Sequence, residues 1–237
     1  MSDWAAKRFW SNVAIESRDA QYVILLDGRL VKTPAKATLI IPTHAMAKAI
    51  AGEWDAQKDK IDPRTMPTTR SANAAIDKVT PQKPEVSALI SAYGEDDFLC
   101  YRAPAPQELF ERQREAWDPI LAWATEVLDA PLLTVEGVMH VEQPANSVNN
   151  LTALVSVQTP FELVALHDLV SMSGSLVIGL AAQAGAFDTD DLWIRSRLDE
   201  LWQIEHWGQD AEADATAAIK RDAFLHADRF YKLCLKT

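Results

Sequence analysis

Hydrophobic and polar positions follow a strand-like pattern over about the first forty residues and a helical pattern afterwards. In the first part, two β-rich runs at residues 22–26 and 29–33 flank Asp27-Gly28, a pair that tolerates the positive φ angles of a type I′ turn. This arrangement predicts a β-hairpin. Two further strands are expected to complete a small antiparallel meander, near residues 13–16 and 38–41.

The helical pattern begins at Thr43, a favourable N-cap for a helix that runs to about residue 57 with Ile50 and Trp54 facing inward. An extended stretch at residues 132–138 lies among helices and either returns to the amino-terminal sheet or forms a ribbon of its own. The other predicted helices span about residues 68–78, 84–93, 106–117, 119–128, 147–157, 160–184, 189–207 and 209–233.

These elements predict an α+β fold with two domains. A small amino-terminal antiparallel β-sheet with helices is expected over residues 1–84, followed by an all-helical bundle over residues 85–237. No repeat, low-complexity tract or flexible linker separates the two parts, so the boundary is placed near Pro84.

The charge balance narrows the range of partners. A formal net charge of −11 over 237 residues repels nucleic-acid backbones and anionic membrane surfaces, so a protein surface is the expected partner. The longest apolar run, residues 176–184, is shorter than the roughly 20 residues that a membrane-spanning helix needs, so no membrane insertion is expected.

The cysteines and the amino terminus indicate a cytoplasmic protein. Cys100 and Cys234 lie far apart without metal-ligand spacing, which predicts buried thiols in a reducing compartment rather than a disulfide framework. The first residues lack the apolar core of a signal peptide, so no export or transit segment is expected.

Motifs for catalysis or cofactor binding are not apparent. The five histidines have no metal-ligand spacing, and the eight glycines form no phosphate-binding loop, so neither a metal nor a nucleotide cofactor is expected. Glu95, Asp96 and Asp97 are interpreted as a solvated acidic cluster at a helix end.

The segment from Leu192 to Gly208 combines charge with apolar side chains in an unusual way. On a continuous helix at about 100° per residue, five side chains share one narrow arc, namely Trp193, Arg197, Glu200, Ile204 and Trp207. Two interpretations remain open. Arg197 and Glu200 form either a structural ion pair between packed tryptophans or part of a recognition site that offers a partner both an anchor and a charge.

Seven motifs in order along the chain resemble one protein family, the chaperones that attend the alpha subunit during assembly of the ATP synthase F(1) sector in mitochondria and alphaproteobacteria. These motifs are RFW from Arg8, LLDGRLVKTP from Leu25, EWDAQ from Glu53, MPTTRSANAAID from Met66, YGEDDFLCYR from Tyr93, WDPIL from Trp117 and SRLDELWQIEHWG from Ser196. Without a mitochondrial presequence, the chain resembles the bacterial form.

The resemblance implies a fold, a function and a site. The fold is an amino-terminal α-β domain followed by an orthogonal helical bundle. The function is to bind unassembled alpha subunit of the proton-transporting ATP synthase, to prevent its aggregation and to promote assembly of the catalytic hexamer without hydrolysing nucleotide. The family's essential acid matches Glu200 by position, with Asp199 as the alternative, and Trp54 of the EWD motif has a structural role.

Two hypotheses of different class therefore follow. The first is a non-enzymatic chaperone, monomeric when free, that holds its client through Glu200, Arg197, Trp193, Ile204 and Trp207. The second is a small-molecule enzyme in which Glu200 and Arg197, with His206 or Glu205, form an acid and base set. The enzyme requires a concave pocket beside this helix and a carboxyl group whose pKa is raised by burial.

Overall fold

A computed structural model describes residues 7–235, which form two compact units. The first contains residues 7–83 with two later segments, 159–164 and 229–235, and the second contains residues 84–158 and 165–228. A single cut in the sequence does not describe this division, because both later segments belong to the predicted helical domain and pack within the first unit. No helix within the described residues is long and apolar enough to cross a membrane.

An antiparallel sheet forms the front of the first unit, as predicted. Strand β1 (Val13–Arg18) pairs with β2 (Gln21–Leu26), and β2 pairs on its other side with β3 (Arg29–Leu30). At the β2–β3 turn, φ is 47° at Asp27 and 80° at Gly28, so both turn residues have the positive φ values of a type I′ turn. The Asp27 carboxylate also accepts the backbone N–H groups of Ser11 and Asn12.

Strand β4 (Ile40–Ile41) differs from a simple meander because it pairs with β2 rather than adding to the far edge of β3. Between β3 and β4 the chain forms a loop, which is closed by a hydrogen bond from the Thr33 N–H to the carbonyl of Ala37. The Asp77 carboxylate holds this loop, accepting the Thr33 hydroxyl at 2.6 Å and the Ala35 N–H at 3.0 Å.

Two helices complete the first unit. Helix α1 (His44–Asp55) begins at Thr43, whose hydroxyl accepts the Met46 N–H as the sequence predicts. Helix α2 (Pro67–Ala74) has no cap from its own preceding residue. Instead Glu53 on α1 accepts the N–H groups of Thr68 and Thr69, each at 2.7 Å, so a side chain distant in sequence satisfies two of the open donors at this helix start.

The second unit is helical. Its core contains Trp117, Trp193 and Phe224, all buried with the aliphatic side chains around them. Its helices are α3 (Lys83–Ser91), α4 (Gln107–Leu128), α5 (Ala145–Ser156), α6 (Pro160–Ser173), α7 (Leu176–Ala184), α8 (Thr189–Ser196), α9 (Leu198–Trp207) and α10 (Ala211–Cys234). Helices α6 and α10 also include residues of the two later segments of the first unit.

Three predicted helix boundaries are wrong. Pro119 does not divide two helices but lies inside α4, where burial of Trp117 and Ile120 on one continuous helix outweighs the cost of an interior proline. The predicted helix over 160–184 breaks at Gly174, whose φ is +77°, before Ser175 caps α7. The predicted helix over 189–207 breaks at Arg197.

Residues 132–138 form a ribbon of their own in the second unit. Strand β6 (Val135–Glu136) pairs in parallel with β5 (Tyr101–Arg102), and Gly137 N continues the contact by donating to Arg102 O. Of the two alternatives that the sequence left open, the structure shows the second.

The interpretation of residues 95–97 as a solvated acidic cluster is wrong for Asp97. Its side chain is completely buried rather than solvated. It accepts the hydroxyl of Ser175 and the N–H groups of Val177 and Leu99, and thereby joins its own turn to the start of α7. Burial raises the pKa of this carboxyl group to about 6 despite those hydrogen bonds.

Candidate functional site

The break between α8 and α9 decides which side chains of the 192–208 segment point outward. At Arg197 the backbone has φ −110° and ψ 17°, outside the helical range. The carbonyl of Arg195 accepts the indole N–H of Trp117 at 2.9 Å, and the Arg195 guanidinium donates to the carbonyl of Ala116. Helix α4 therefore binds both the backbone and the side chain of Arg195, two residues before the break.

Arg197 and Glu200 form an ion pair. The distance from Arg197 Nη1 to Glu200 Oε1 is 3.6 Å, and the Arg197 guanidinium lies over the ring of Trp193 at 5.6 Å. The Glu200 side chain is 51 % exposed, so its carboxylate can be reached from outside. A pair in this position contributes less than about 1 kcal/mol to folding.

The remaining members of the predicted arc separate into buried and exposed side chains. Trp193 is only 5 % exposed and packs against Phe224, so it can influence a partner mainly by supporting Arg197. Ile204 is half-buried, whereas Trp207 is 79 % exposed. An exposed tryptophan is an unusual surface feature and is typical of the anchors found in protein interfaces.

Asp199 lines an open groove between α9 and α4. Its Oδ1 accepts from Gln113 Nε2 on α4 at 2.7 Å, and Gln113 Oε1 accepts the backbone N–H of Ala103 at 2.7 Å. The groove has a volume of about 480 Å³. Its apolar and aromatic lining comes from α4, α9, residues 101–106 and the start of the loop after β6, with Leu109, Pro104, Pro106, Trp202, Trp207 and Val138 as members.

One wall of this groove is held by an ion pair. Arg112 on α4 donates to both carboxylate oxygens of Glu205 on α9, at 2.6 and 2.7 Å, and its guanidinium lies 5.9 Å from the Trp202 ring centre. The hydrogen bond from Arg112 lowers the pKa of Glu205 and the same contact raises that of Arg112. Both groups therefore remain charged at neutral pH.

The groove supplies the concavity that the enzyme hypothesis requires, but Glu205 is not tuned as a general acid. A general acid needs a carboxyl group whose pKa is raised, whereas the pKa of Glu205 is lowered. Within residues 7–235 no group of three or more His, Cys, Asp or Glu side chains could hold a metal ion.

Trp54 lies in the first unit and is distant in sequence from the residues that line the groove. Its ring meets that of Trp10 edge to face, with the centroids 5.3 Å apart. The indole N–H of Trp54 is buried without a hydrogen-bond acceptor among the described residues. Trp54 as a whole is half-buried, and its structural role stays a prediction.

A family model described as "ATP12 chaperone protein" matches residues 7–125, half of the chain. The chain belongs to this family. A curated ATP12 relative, the mitochondrial protein atp12 of Schizosaccharomyces pombe, is 25 % identical over 215 residues, which cover 85 % of this chain and 74 % of that protein.

Solved structures of ATP12 proteins share the fold over nearly the whole chain. Atp12 from Paracoccus denitrificans is 45 % identical with a TM-score of 0.96, covering 98 % of this chain and all of that one. A variant of the same protein with an aspartate replaced by lysine matches equally well, with a TM-score of 0.96. The Atu1473 protein from Agrobacterium tumefaciens is 38 % identical with a TM-score of 0.92, covering 97 % of this chain and 86 % of that one.

The sequence indicated Asp199 only as the alternative to Glu200, and it did not indicate the groove. The projection assumed one helix over 189–207, whereas the break at Arg197 gives α9 a direction of its own. The groove also depends on residues 101–106 and 137–138, which are distant in sequence and carry no motif of their own. The one available signal was local, because Trp202 and His206 lie at i,i+4 spacing on one helix face.

Proposed function

We propose that this protein is a molecular chaperone that binds the unassembled alpha subunit of ATP synthase, prevents its aggregation and promotes assembly of the catalytic hexamer. Membership of the ATP12 chaperone family supports assembly of ATP synthase as the process. The observation that carries client binding is the surface of α9, which carries both the exposed ring of Trp207 and the reachable carboxylate of Glu200.

The proposed docking surface comprises Glu200, Arg197, Ile204 and Trp207, with Trp193 behind Arg197. Glu200 supplies the charge and Trp207 the apolar anchor, while Arg197 fixes the orientation of the carboxylate. Asp199 remains the alternative acid, because it lies on the same helix and faces the adjoining groove.

The net charge supports a protein partner, and the bacterial relatives and the free thiols support the proposed compartment. A net charge of −11 favours a protein client over nucleic acid, and the function needs no nucleotide hydrolysis or cofactor. The bacterial relatives and the free thiols of Cys100 and Cys234 support a cytoplasmic location for this form. The free protein is proposed to be a monomer.

The test is an aggregation assay. Isolated alpha subunit is diluted from denaturant, and light scattering is followed with and without an equimolar amount of this protein in nucleotide-free buffer. Suppression of scattering is expected. Scattering that is unchanged by the protein, together with no complex in size-exclusion chromatography, would overturn the proposed function.

The site is tested with Glu200→Lys in the same assay. The matched control is Glu126→Lys, which reverses an exposed charge near the carboxyl end of α4. We expect loss of suppression for Glu200→Lys alone, with unchanged circular dichroism for both variants. Full suppression by a folded Glu200→Lys protein would remove Glu200 from the site and leave the chaperone function standing.

A further inference from the structure

The groove beside α9 contains a carboxylate that the protein leaves only half-satisfied. Gln113 is 2 % exposed, and its amide orientation is fixed because Oε1 accepts the Ala103 N–H. Its NH₂ group must therefore face Asp199, where it donates to Oδ1. Asp199 Oδ2 accepts no hydrogen bond from residues 7–235.

The cationic side chains around this groove are already engaged. Arg102 is buried and donates to Asp118 Oδ1 at 2.7 Å and to the carbonyl of Leu99. Arg112 is bound through both ends of its guanidinium to Glu205. The His206 ring, which also lines the groove, directs Nδ1 to the carbonyl of Trp202 at 2.8 Å. Among the described residues, no cation neutralises Asp199.

Apolar surface surrounds the carboxylate and continues out of the groove. Trp202, Pro104 and Leu109 line it, while Val138 is 92 % exposed at its rim and Met139 follows Val138 on the same open loop. A small ligand would fit inside a groove of this volume without covering that rim. A polypeptide segment could cover both, with a basic side chain inside and apolar neighbours along the rim.

We propose that this groove binds an apolar segment of the client in which one lysine or arginine side chain is seated against Asp199. This inference rests on the proposed function and names the chemistry of the segment that the chaperone holds. A hydrogen-bonded ion pair in a partly enclosed, aromatic-lined site gives both affinity and register, because a misaligned segment would leave Asp199 uncompensated.

The experiment uses the full chain and a set of overlapping 15-residue peptides that covers the alpha subunit sequence. Peptides that bind wild-type protein are resynthesised with their lysine or arginine replaced by norleucine, and dissociation constants are measured by fluorescence polarisation. We expect the replacement to weaken binding about tenfold. Asp199→Asn, which keeps an acceptor for Gln113, should abolish that difference, whereas Glu126→Gln should preserve it.

The outcomes separate this inference from the function on which it rests. If full-length alpha subunit fails to bind wild-type protein, the proposed function fails. If alpha subunit binds wild type and Asp199→Asn equally, or if no peptide binds, or if the bound peptides tolerate norleucine, the groove inference fails alone. A tenfold preference for the basic peptides that is lost only in Asp199→Asn supports both.

Discussion

Gln113 and Asp199, separated by 86 positions in sequence, are joined by a hydrogen bond of 2.7 Å between helices α4 and α9. The same glutamine accepts the N–H of Ala103, so one buried amide holds together three segments that line the groove. The groove is therefore a product of tertiary structure, and the Gln113 amide and the Arg112–Glu205 ion pair both link α4 to α9 beside it.

Replacement of Gln113 by leucine should destabilise the protein and loosen the groove. The variant leaves the Ala103 N–H without its acceptor, and an unsatisfied buried donor costs about 1–3 kcal/mol. Urea denaturation should show a loss of that size, with an unchanged dependence on urea concentration. A variant as stable as wild type would show that water replaces the amide and that the groove is wetter than its lining indicates.

Stability should depend on pH through Asp97. The folded protein retains the Asp97 proton up to about pH 6, whereas the unfolded chain loses it near the ordinary value of 3.8. The folded state thus binds more protons between these values, and the Asp97 contribution to unfolding free energy should fall by on the order of 2–3 kcal/mol as pH rises from about 4 to 6.

This fall is isolated by comparing wild type with Asp97→Asn in urea at pH 4, 5, 6 and 7. The asparagine does not ionise, so the difference in unfolding free energy between the two proteins should change with pH. Glu126→Gln, at an exposed position, should follow the wild-type curve. Parallel curves for wild type and Asp97→Asn would show that the Asp97 carboxyl group titrates at its ordinary pKa.

Glu53 should stabilise the start of α2. Its carboxylate accepts two backbone N–H groups and the hydroxyl of Thr69, all at 2.7 Å. Removing such a cap in Glu53→Ala should cost about 1–2 kcal/mol and lower the thermal midpoint. Asp55→Ala is the matched control, because its 3.4 Å pair with Arg8 is solvent-exposed. Equal midpoints for the two variants would contradict the capping role.

The two tryptophans of the predicted arc should respond oppositely to truncation. Trp207→Ala should leave the unfolding free energy within about 0.5 kcal/mol of wild type, because the ring is exposed, yet weaken binding of alpha subunit. Trp193→Ala should cost about 3–5 kcal/mol, because it opens a cavity beside Phe224. Chemical denaturation and a pull-down with tagged alpha subunit measure both effects. Unimpaired pull-down by Trp207→Ala would remove that residue from the docking surface.

Local interactions explain why part of the fold could be predicted. The Asp27-Gly28 turn and the Thr43 cap involve neighbouring residues only, and the structure confirms both. The helix boundaries at Pro119, Gly174 and Arg197 were predicted wrongly for the opposite reason. Propensity and periodicity describe an isolated segment, whereas the packing of Trp117 and the hydrogen bonds to Asp97 act between segments.

The sequence by itself determined the α+β class, the amino-terminal hairpin and the family. Each of these depends on residues close together in sequence or on ordered motifs. Only the tertiary structure decided that Trp193 is buried, that Trp207 is exposed and that Asp199 faces a groove. The reason is the break at Arg197: contacts from α4 hold the backbone there, and a helical projection contains no information about the neighbouring helix.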